Sequence, residues 1–588
     1  MVNCFRPLPR RFQAIYKPVP CRQILQLLRT APFRMLFPRL SHFLYLGVAA
    51  ASLAKMRTYT NPILPGWHSD PSCVYVAEQE TFFCATSTFI AFPGLPLYAS
   101  KDLVHWTLAS NIFNRPSQIP SLAVTEGQQG GIYAPTLRYR DGKFYLIVSF
   151  LGPNVEGLVF TSDNPYDDDS WSEPVVFPVH GIDPDIFWEE DGQVYVTSAD
   201  NNQIQHYTLD LATGEIGPVT YLWNGTGGAY PEGPHLFKKA DGYYYLLIAE
   251  GGTETNHSAT MARSKNRTGP WEPCPTNPIL SNRNTTRYFQ TVGHADLFQD
   301  GQGHWWGVAL STRSGPEWVN YPMGRETVLT SGTWEDGDWP VLEPVNGIMK
   351  APLPAKQELK NPINRPEHLT FAPGSEIPKH LMYWRFPEES SYVVSPAGHP
   401  HTLRLTPSAY GPSYNPASVT DPITFIARRQ TDTLFSFSVD LTISPSSPGV
   451  EAGISLFLTQ EQHVDLSIVD IGRSSSSPAR VLQLKTYGRG NYNGSLSNAT
   501  VEIPTQWVDQ TVTLSLEAVD DTTYEFSASL ASGPKKGVYV GSADARVLSG
   551  DTGRFTGRCL FFIVSTTANR VRNSGRYLCF PSRASGWQ

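Results

Sequence analysis

The chain has 588 residues, too long for one hydrophobic core, so two or three domains are expected. With 40% hydrophobic and only 17% charged residues it is no disordered chain, and its 47 glycines and 49 prolines indicate strands and turns. The net charge of -7, without a basic stripe in the body, argues against nucleic acid as a partner. The 12% aromatic content is compatible with neutral sugars as ligands, although core packing accounts for most of those rings.

Residues 1–54 form a leader. Its first 40 residues hold Arg6, Arg10, Arg11, Arg22, Arg29, Arg34 and Arg39 and no acid. Phe43 to Ala54 is then an apolar run of twelve, too short to span a bilayer. Ser52 and Ala54 have the spacing of a signal-peptidase site, so secretion is expected. The arginine-rich, acid-free flank also permits a mitochondrial transit peptide, and a start at Met56 would make the protein cytosolic. Six sequons, at Asn224, Asn256, Asn266, Asn284, Asn493 and Asn498, suit secretion and glycosylation. Of seven cysteines, Cys73 with Cys84 and Cys559 with Cys579 could bridge, with buried free thiols as the plainer reading; no zinc spacing occurs.

Residues 55–349 repeat one phrase five times. It enters as a strand, turns and resumes as an aromatic strand: a hairpin every 50 to 65 residues or so. The copies begin at Asp70, Ala134, Asp183, Glu232 and His294. A second element, a strand ending in Ser followed by a loop and a Trp, recurs at Ser100–Trp106, Ser162–Trp171 and Ser264–Trp271. Each unit thus holds about four strands, the size of a blade, which predicts a five-bladed β-propeller whose blade starts converge on one centre.

Residues 350–368 are proline-rich without a period and read as a linker. From 369 to 588 the strands alternate cleanly, as in Leu434–Leu441, Gly453–Leu458, Val464–Val469 and Val512–Glu517. Polar residues at every second position predict half-buried antiparallel strands and an accessory β-sandwich. The fold class is therefore all-β, a propeller followed by a sandwich.

Three carboxylates, Asp70, Asp183 and Glu232, stand at blade starts beside Pro or Gly, which fix the backbone and aim side chains. Any one alone reads as an ordinary turn residue. Three acids facing one pocket cannot all ionise freely, which supplies an acid and a base together. Glycoside hydrolysis needs that pair.

The ordered motifs Asn61-Pro62-Ile63-Leu64-Pro65-Gly66-Trp67-His68-Ser69-Asp70-Pro71, Gly131-Ile132-Tyr133-Ala134-Pro135, Gly181-Ile182-Asp183-Pro184, Tyr230-Pro231-Glu232-Gly233-Pro234 and Met323-Gly324-Arg325-Glu326-Thr327 resemble glycoside hydrolase family 43. The resemblance covers about residues 58 to 345. The sandwich resembles the accessory domain of that family's β-xylosidase branch. The family's five-bladed propeller agrees with the repeat count. The resemblance implies Asp70 as general base, Glu232 as general acid and Asp183 as the residue that raises the pKa of Glu232 and orients it. It also implies inversion, with acid and base roughly 6.5–9.5 Å apart.

Four further positions follow from the resemblance. Phe89 would line the sugar pocket, with core packing as the alternative. Arg325 would contact sugar hydroxyls, with a salt bridge as the alternative. His294 would stand at the propeller centre, and Tyr133 takes a place where Trp is usual. Asp185 is the alternative to Asp183: it sits two residues on, so both would face the same side of a strand, and the Gly-Ile-Asp frame favours Asp183. No metal ligand set is expected and no cofactor is required; His294 leaves room for a structural calcium. Ala91 replaces a larger aromatic, which with Tyr133 would enlarge the pocket.

The implied activity is exo-acting release of terminal D-xylose or L-arabinose from hemicellulose-derived oligosaccharides, with β-xylosidase favoured. Debranching by an α-L-arabinofuranosidase is the alternative, and a catalytically silent sugar-binding propeller is the rival of another class. No membrane span is expected, and the sequence leaves the oligomeric state open.

Overall fold

A computed structural model describes residues 56–355, 362–444, 449–472, 480–488, 496–533 and 537–549, together with the backbone of strands Cys559–Thr566, Tyr577–Phe580 and Ser582–Ser585. The leader lies outside these residues. Among them the only helical segments are short 3-10 turns, and no helix is long and apolar enough to cross a membrane.

Five four-stranded antiparallel sheets follow one another along residues 72–342. Their first strands are Ser72–Val76, Gly131–Arg140, Ile182–Trp188, Glu232–Lys238 and Phe289–Gln299. Each of these packs against the next, and the fifth packs back against the first, so the five close into a cycle. The hairpins within four of the sheets turn at Gly142, Gly192, Gly242 and Gly303, each with φ between 77° and 86°. That left-handed backbone is open to glycine at no steric cost. Strand Arg57–Thr60 pairs with Ile348–Ala351, so the two ends of this half are stitched together.

The recurrent tryptophans seal the sheets. Trp106 and Trp171 are almost wholly buried, and each indole N–H is satisfied, by the Leu103 carbonyl and the Ser110 hydroxyl. Cys73 and Cys84 face each other across the first hairpin and form a disulfide.

The C-terminal half is a sandwich of an eight-stranded and a six-stranded sheet. Phe437, Val439 and Leu441 of one sheet meet Ile454, Leu456, Leu466 and Leu482 of the other in its core. The predicted alternation holds on Ser436–Ser444, but not on Val450–Thr459 and Gln462–Asp470. These two strands are buried on both faces, Ser455, Asp465 and Ser467 included. The second face of Val450–Thr459 is covered because its Phe457, with Phe425, joins a core cluster with Trp67, Phe89 and Ile90 of the first half. Cys559 and Cys579 lie on strands of different sheets, not on neighbouring strands, and their side chains fall outside the described residues.

Strand Tyr383–Trp384, which belongs to neither sheet of the sandwich, pairs with Ala91–Phe92 of the first half. Arg385 then donates to the carbonyls of Thr125 and Glu126 and to Gln460 Oε1, while Gln128 bonds Gln460 in both directions. The two halves are thus joined through the loop that leads to Tyr133.

Candidate active site

The repeat starts share a backbone device that the sequence motif only hints at. Asp70, Ala134, Asp183, Gly233 and His294 all have positive φ, between 29° and 57°. The ladder register slips at this point in four of the five first strands, the mark of a β-bulge. Pro follows the positive-φ residue in four repeats and Ala295 in the fifth. Proline holds the next φ and removes a donor that the bulge leaves unpaired.

This alignment corrects the sequence reading in one respect. The residue equivalent to Asp70 and Asp183 is Gly233, so Glu232 stands one position earlier in its repeat. Gly233 is needed there: a Cβ would lie 2.9 Å from Nε2 of His294. The acid therefore precedes the positive-φ position while the other two carboxylates occupy it.

Asp70 is buried and held on both oxygens. Its Oδ1 accepts from Arg325 Nη1 at 3.0 Å, and its Oδ2 accepts from the Ser87 hydroxyl at 2.7 Å. Ser87 in turn accepts from the Ala134 amide at 2.8 Å. The His294 Nδ1 lies 3.8 Å from Asp70 Oδ1. Burial alone would push Asp70 up, but Arg325, His294 and Ser87 outweigh it, and its pKa is lowered.

Asp183 and Glu232 behave in the opposite way. Asp183 accepts the Gly233 amide at 3.0 Å, which ties it to the backbone beside Glu232. Burial, then the charges of Glu232 and Asp70, raise Asp183 well above the usual carboxylate range. Burial and Asp70 push Glu232 up to about 7, against the pull of Arg325. One pocket therefore holds a carboxylate kept ionised and an acid that keeps its proton near neutrality.

Arg325 is fixed by its neighbours. Its carbonyl accepts the His68 amide, and Glu326 beside it forms a two-pronged ion pair with Arg313 while accepting the Gly66 amide. Burial pushes His294 down to about 4, so it is neutral at physiological pH. Tyr133 is half-buried, with its hydroxyl donating to the Gln129 carbonyl. Its phenol is pushed up to about 12, chiefly by burial, with Asp70 and Asp183 adding to the rise.

Phe89 takes another place than the one the resemblance implies. It is wholly buried, stacked on Trp67 at 5.9 Å and edge-on to Tyr133 at 4.9 Å, with the Arg325 guanidinium over its ring at 5.7 Å. It is the bed under Arg325 and presents no face to an open pocket. Asp185 is not a substitute for Asp183: the bulge separates them, and Asp185 accepts from Arg138 and from the Leu236 amide with no exposed surface. Ala91 opens no space either, because Trp384 lies directly opposite it and is itself buried. Among the described residues no group of three His, Cys, Asp or Glu side chains is arranged to hold a metal ion.

Comparison with known proteins accords with this geometry. Residues 59–340 match the model for glycosyl hydrolases family 43, and residues 370–577 match that for the beta xylosidase C-terminal Concanavalin A-like domain. A non-reducing end alpha-L-arabinofuranosidase of Bacteroides ovatus is 34% identical over 527 residues, spanning 87% of this chain and 92% of that protein. The chain belongs to glycosyl hydrolase family 43. A xylan 1,3-beta-xylosidase of a Vibrio species is 32% identical over 526 residues, spanning 81% of this chain and 92% of its own length. The solved xylan beta-1,4-xylosidase of Bacillus halodurans superposes with a TM-score of 0.76 at 27% identity, covering 90% of this chain and all of that one. The family 43 chain is accordingly a glycoside hydrolase, and Asp70, Asp183 and Glu232 stand at the starts of its first strands.

Proposed function

We propose that this enzyme is an exo-acting, inverting glycosidase that releases terminal pentose from xylan-type hemicellulose, with β-linked D-xylose favoured. The observation that carries the reading is the divided ionisation of three convergent carboxylates: Asp70 held down, Glu232 pushed up to about 7. In this reading Asp70 takes a proton from a water whose oxygen attacks the anomeric carbon. Glu232 gives its proton to the departing oxygen as the glycosidic bond breaks. Asp183, bonded to the Gly233 amide, keeps Glu232 aimed, while the charge effect between the two falls on Asp183, which Glu232 raises. Arg325 lowers Asp70, and His294 borders the base.

The closed cycle of first strands supports reading the five sheets as the blades of a five-bladed propeller, residues 55–349, joined through 350–368 to a sandwich from 369 onward. Exo action is supported by the sandwich-side residues Arg385 and Gln460, which hold the loop that leads to Tyr133. Secretion with glycosylation is supported by the Cys73–Cys84 disulfide, since such bonds persist in oxidising compartments. A second reading, α-L-arabinofuranosidase, is favoured by Tyr133 in place of Trp and by the activity for which the Bacteroides relative is named.

Rates on aryl β-D-xyloside and aryl α-L-arabinofuranoside, measured in parallel, separate the two readings. Proton NMR of the first sugar released from a β-xyloside should show α-xylose; β-xylose appearing first would overturn inversion. Glycan binding without turnover of either substrate would favour the silent propeller.

A further inference from the structure

Two residues beyond each positive-φ position stands another polar or small side chain: Ser72, Thr136, Asp185, His235 and Asp296. All five are buried, in a layer offset from Asp70, Asp183 and His294 by the bulge. One guanidinium gathers four of them. Arg138 donates through Nη2 to Asp185 Oδ1 at 2.6 Å and approaches His235 Nδ1 at 3.1 Å. Through Nη1 it donates to Asp296 Oδ2 at 2.9 Å, to the Ser72 hydroxyl at 3.3 Å and to the Leu137 carbonyl at 3.0 Å. Ser72 donates to Asp296 Oδ2 at 2.6 Å and accepts the Leu137 amide at 3.0 Å, and His235 Nδ1 lies 3.4 Å from Asp185 Oδ1. Arg138 lies on the strand that carries Ala134, so this cluster draws one residue from each of the five first strands.

Asp185 extends the layer to the backbone. It accepts the Leu236 amide at 2.9 Å while Asp183, two residues earlier, accepts the Gly233 amide at 3.0 Å. The two aspartates grip the bulge that follows Glu232 at both ends. Asp185 in turn takes its orientation from Arg138, and Ser72, two residues from Asp70, takes its own from Asp296. A planar fork bridges two carboxylates in a way an ammonium does not.

We propose that Arg138 is a positioning residue for hydrolysis: through Asp185 and the Ser72–Asp296 pair it sets the placement of Glu232 against Asp70. It touches no reacting atom. This inference rests on the acid and base roles proposed above.

The test compares Arg138→Lys, Ser72→Ala and Glu232→Gln with the unmodified full chain on xylobiose, whose leaving group needs the proton of Glu232. Arg138→Lys keeps one positive charge but loses the fork. A misplacement of about 1 Å costs roughly 10²-fold in turnover, so kcat should fall by that order with KM within about threefold. The basic limb of the kcat profile, set by Glu232, should move as well. Ser72→Ala leaves every charge in place and should give a smaller fall with the same signature, so it decides the matter if Arg138→Lys does not fold. Wild-type kcat and pH profile in either folded variant, with only a lower melting temperature, would overturn the positioning role. Full turnover by Glu232→Gln would instead overturn the proposed mechanism.

Discussion

Replacing Glu232 by Gln should make the protein more stable, and only at higher pH. The physical basis is the carboxyl's pKa of about 7 in the folded chain, against an ordinary value of 4.5. A group whose folded pKa is raised binds its proton more tightly when folded, so stability falls as pH climbs from 4.5 towards 7 and stays reduced above it. At ~1.4 kcal/mol per tenfold change, that rise corresponds to at most about 3 kcal/mol of destabilisation at pH 8. Gln keeps the shape and removes the charge, so the cost disappears. Removing the charge also relieves Asp183, which Glu232 pushes up. Thermal unfolding of both proteins across pH 4 to 8 measures the effect. The difference in melting temperature should be near zero at pH 4 and grow to roughly 5 °C in favour of the variant at pH 8. A difference that is flat with pH, or a variant less stable at pH 8, would refute the idea that Glu232 ionises at a cost in this pocket.

Two other consequences are directly measurable. Arg325→Met keeps the packing on Phe89 but removes the cation that lowers Asp70, Asp183 and Glu232 alike; both limbs of the kcat/KM profile should move to higher pH, the acidic limb by about one to three units. An unchanged acidic limb would show that Arg325 does not control the base. Trp384→Ala leaves a cavity over Ala91, and truncating a buried Trp costs about 3–5 kcal/mol. Calorimetry should show a clear fall in melting temperature, with KM rising more than kcat falls because the loop before Tyr133 loses its support.

Much of this architecture is legible in the sequence because its signals are local. The Asp-Gly hairpins, the Ser-loop-Trp elements and the period-two strands each report on a few adjacent residues. The three carboxylates are legible because Pro or Gly beside them marks an unusual backbone. What escaped were features set by distant partners. The one-residue offset of Glu232 comes from the His294 ring filling the space where a Cβ would stand at Gly233. The burial of Phe89 and the covering of Ala91 depend on Trp384, nearly 300 residues away. The two-sided burial of Val450–Thr459 arises because its outer face meets the first half of the chain. Arg138 resembled any charged residue near a strand end; its signal was the buried residue two places beyond each bulge, visible only once the five repeats are aligned on Gly233.

The assignment of acid and base is tested most directly by leaving-group dependence. With an aryl β-xyloside whose leaving group needs no proton, Glu232→Gln should retain substantial turnover, while on xylobiose it should lose at least about 10²-fold. Asp70→Asn should lose both activities together, because the water is then left without a base. Equal losses on the two substrates for Glu232→Gln, or retained xylobiose hydrolysis by either variant, would contradict the account.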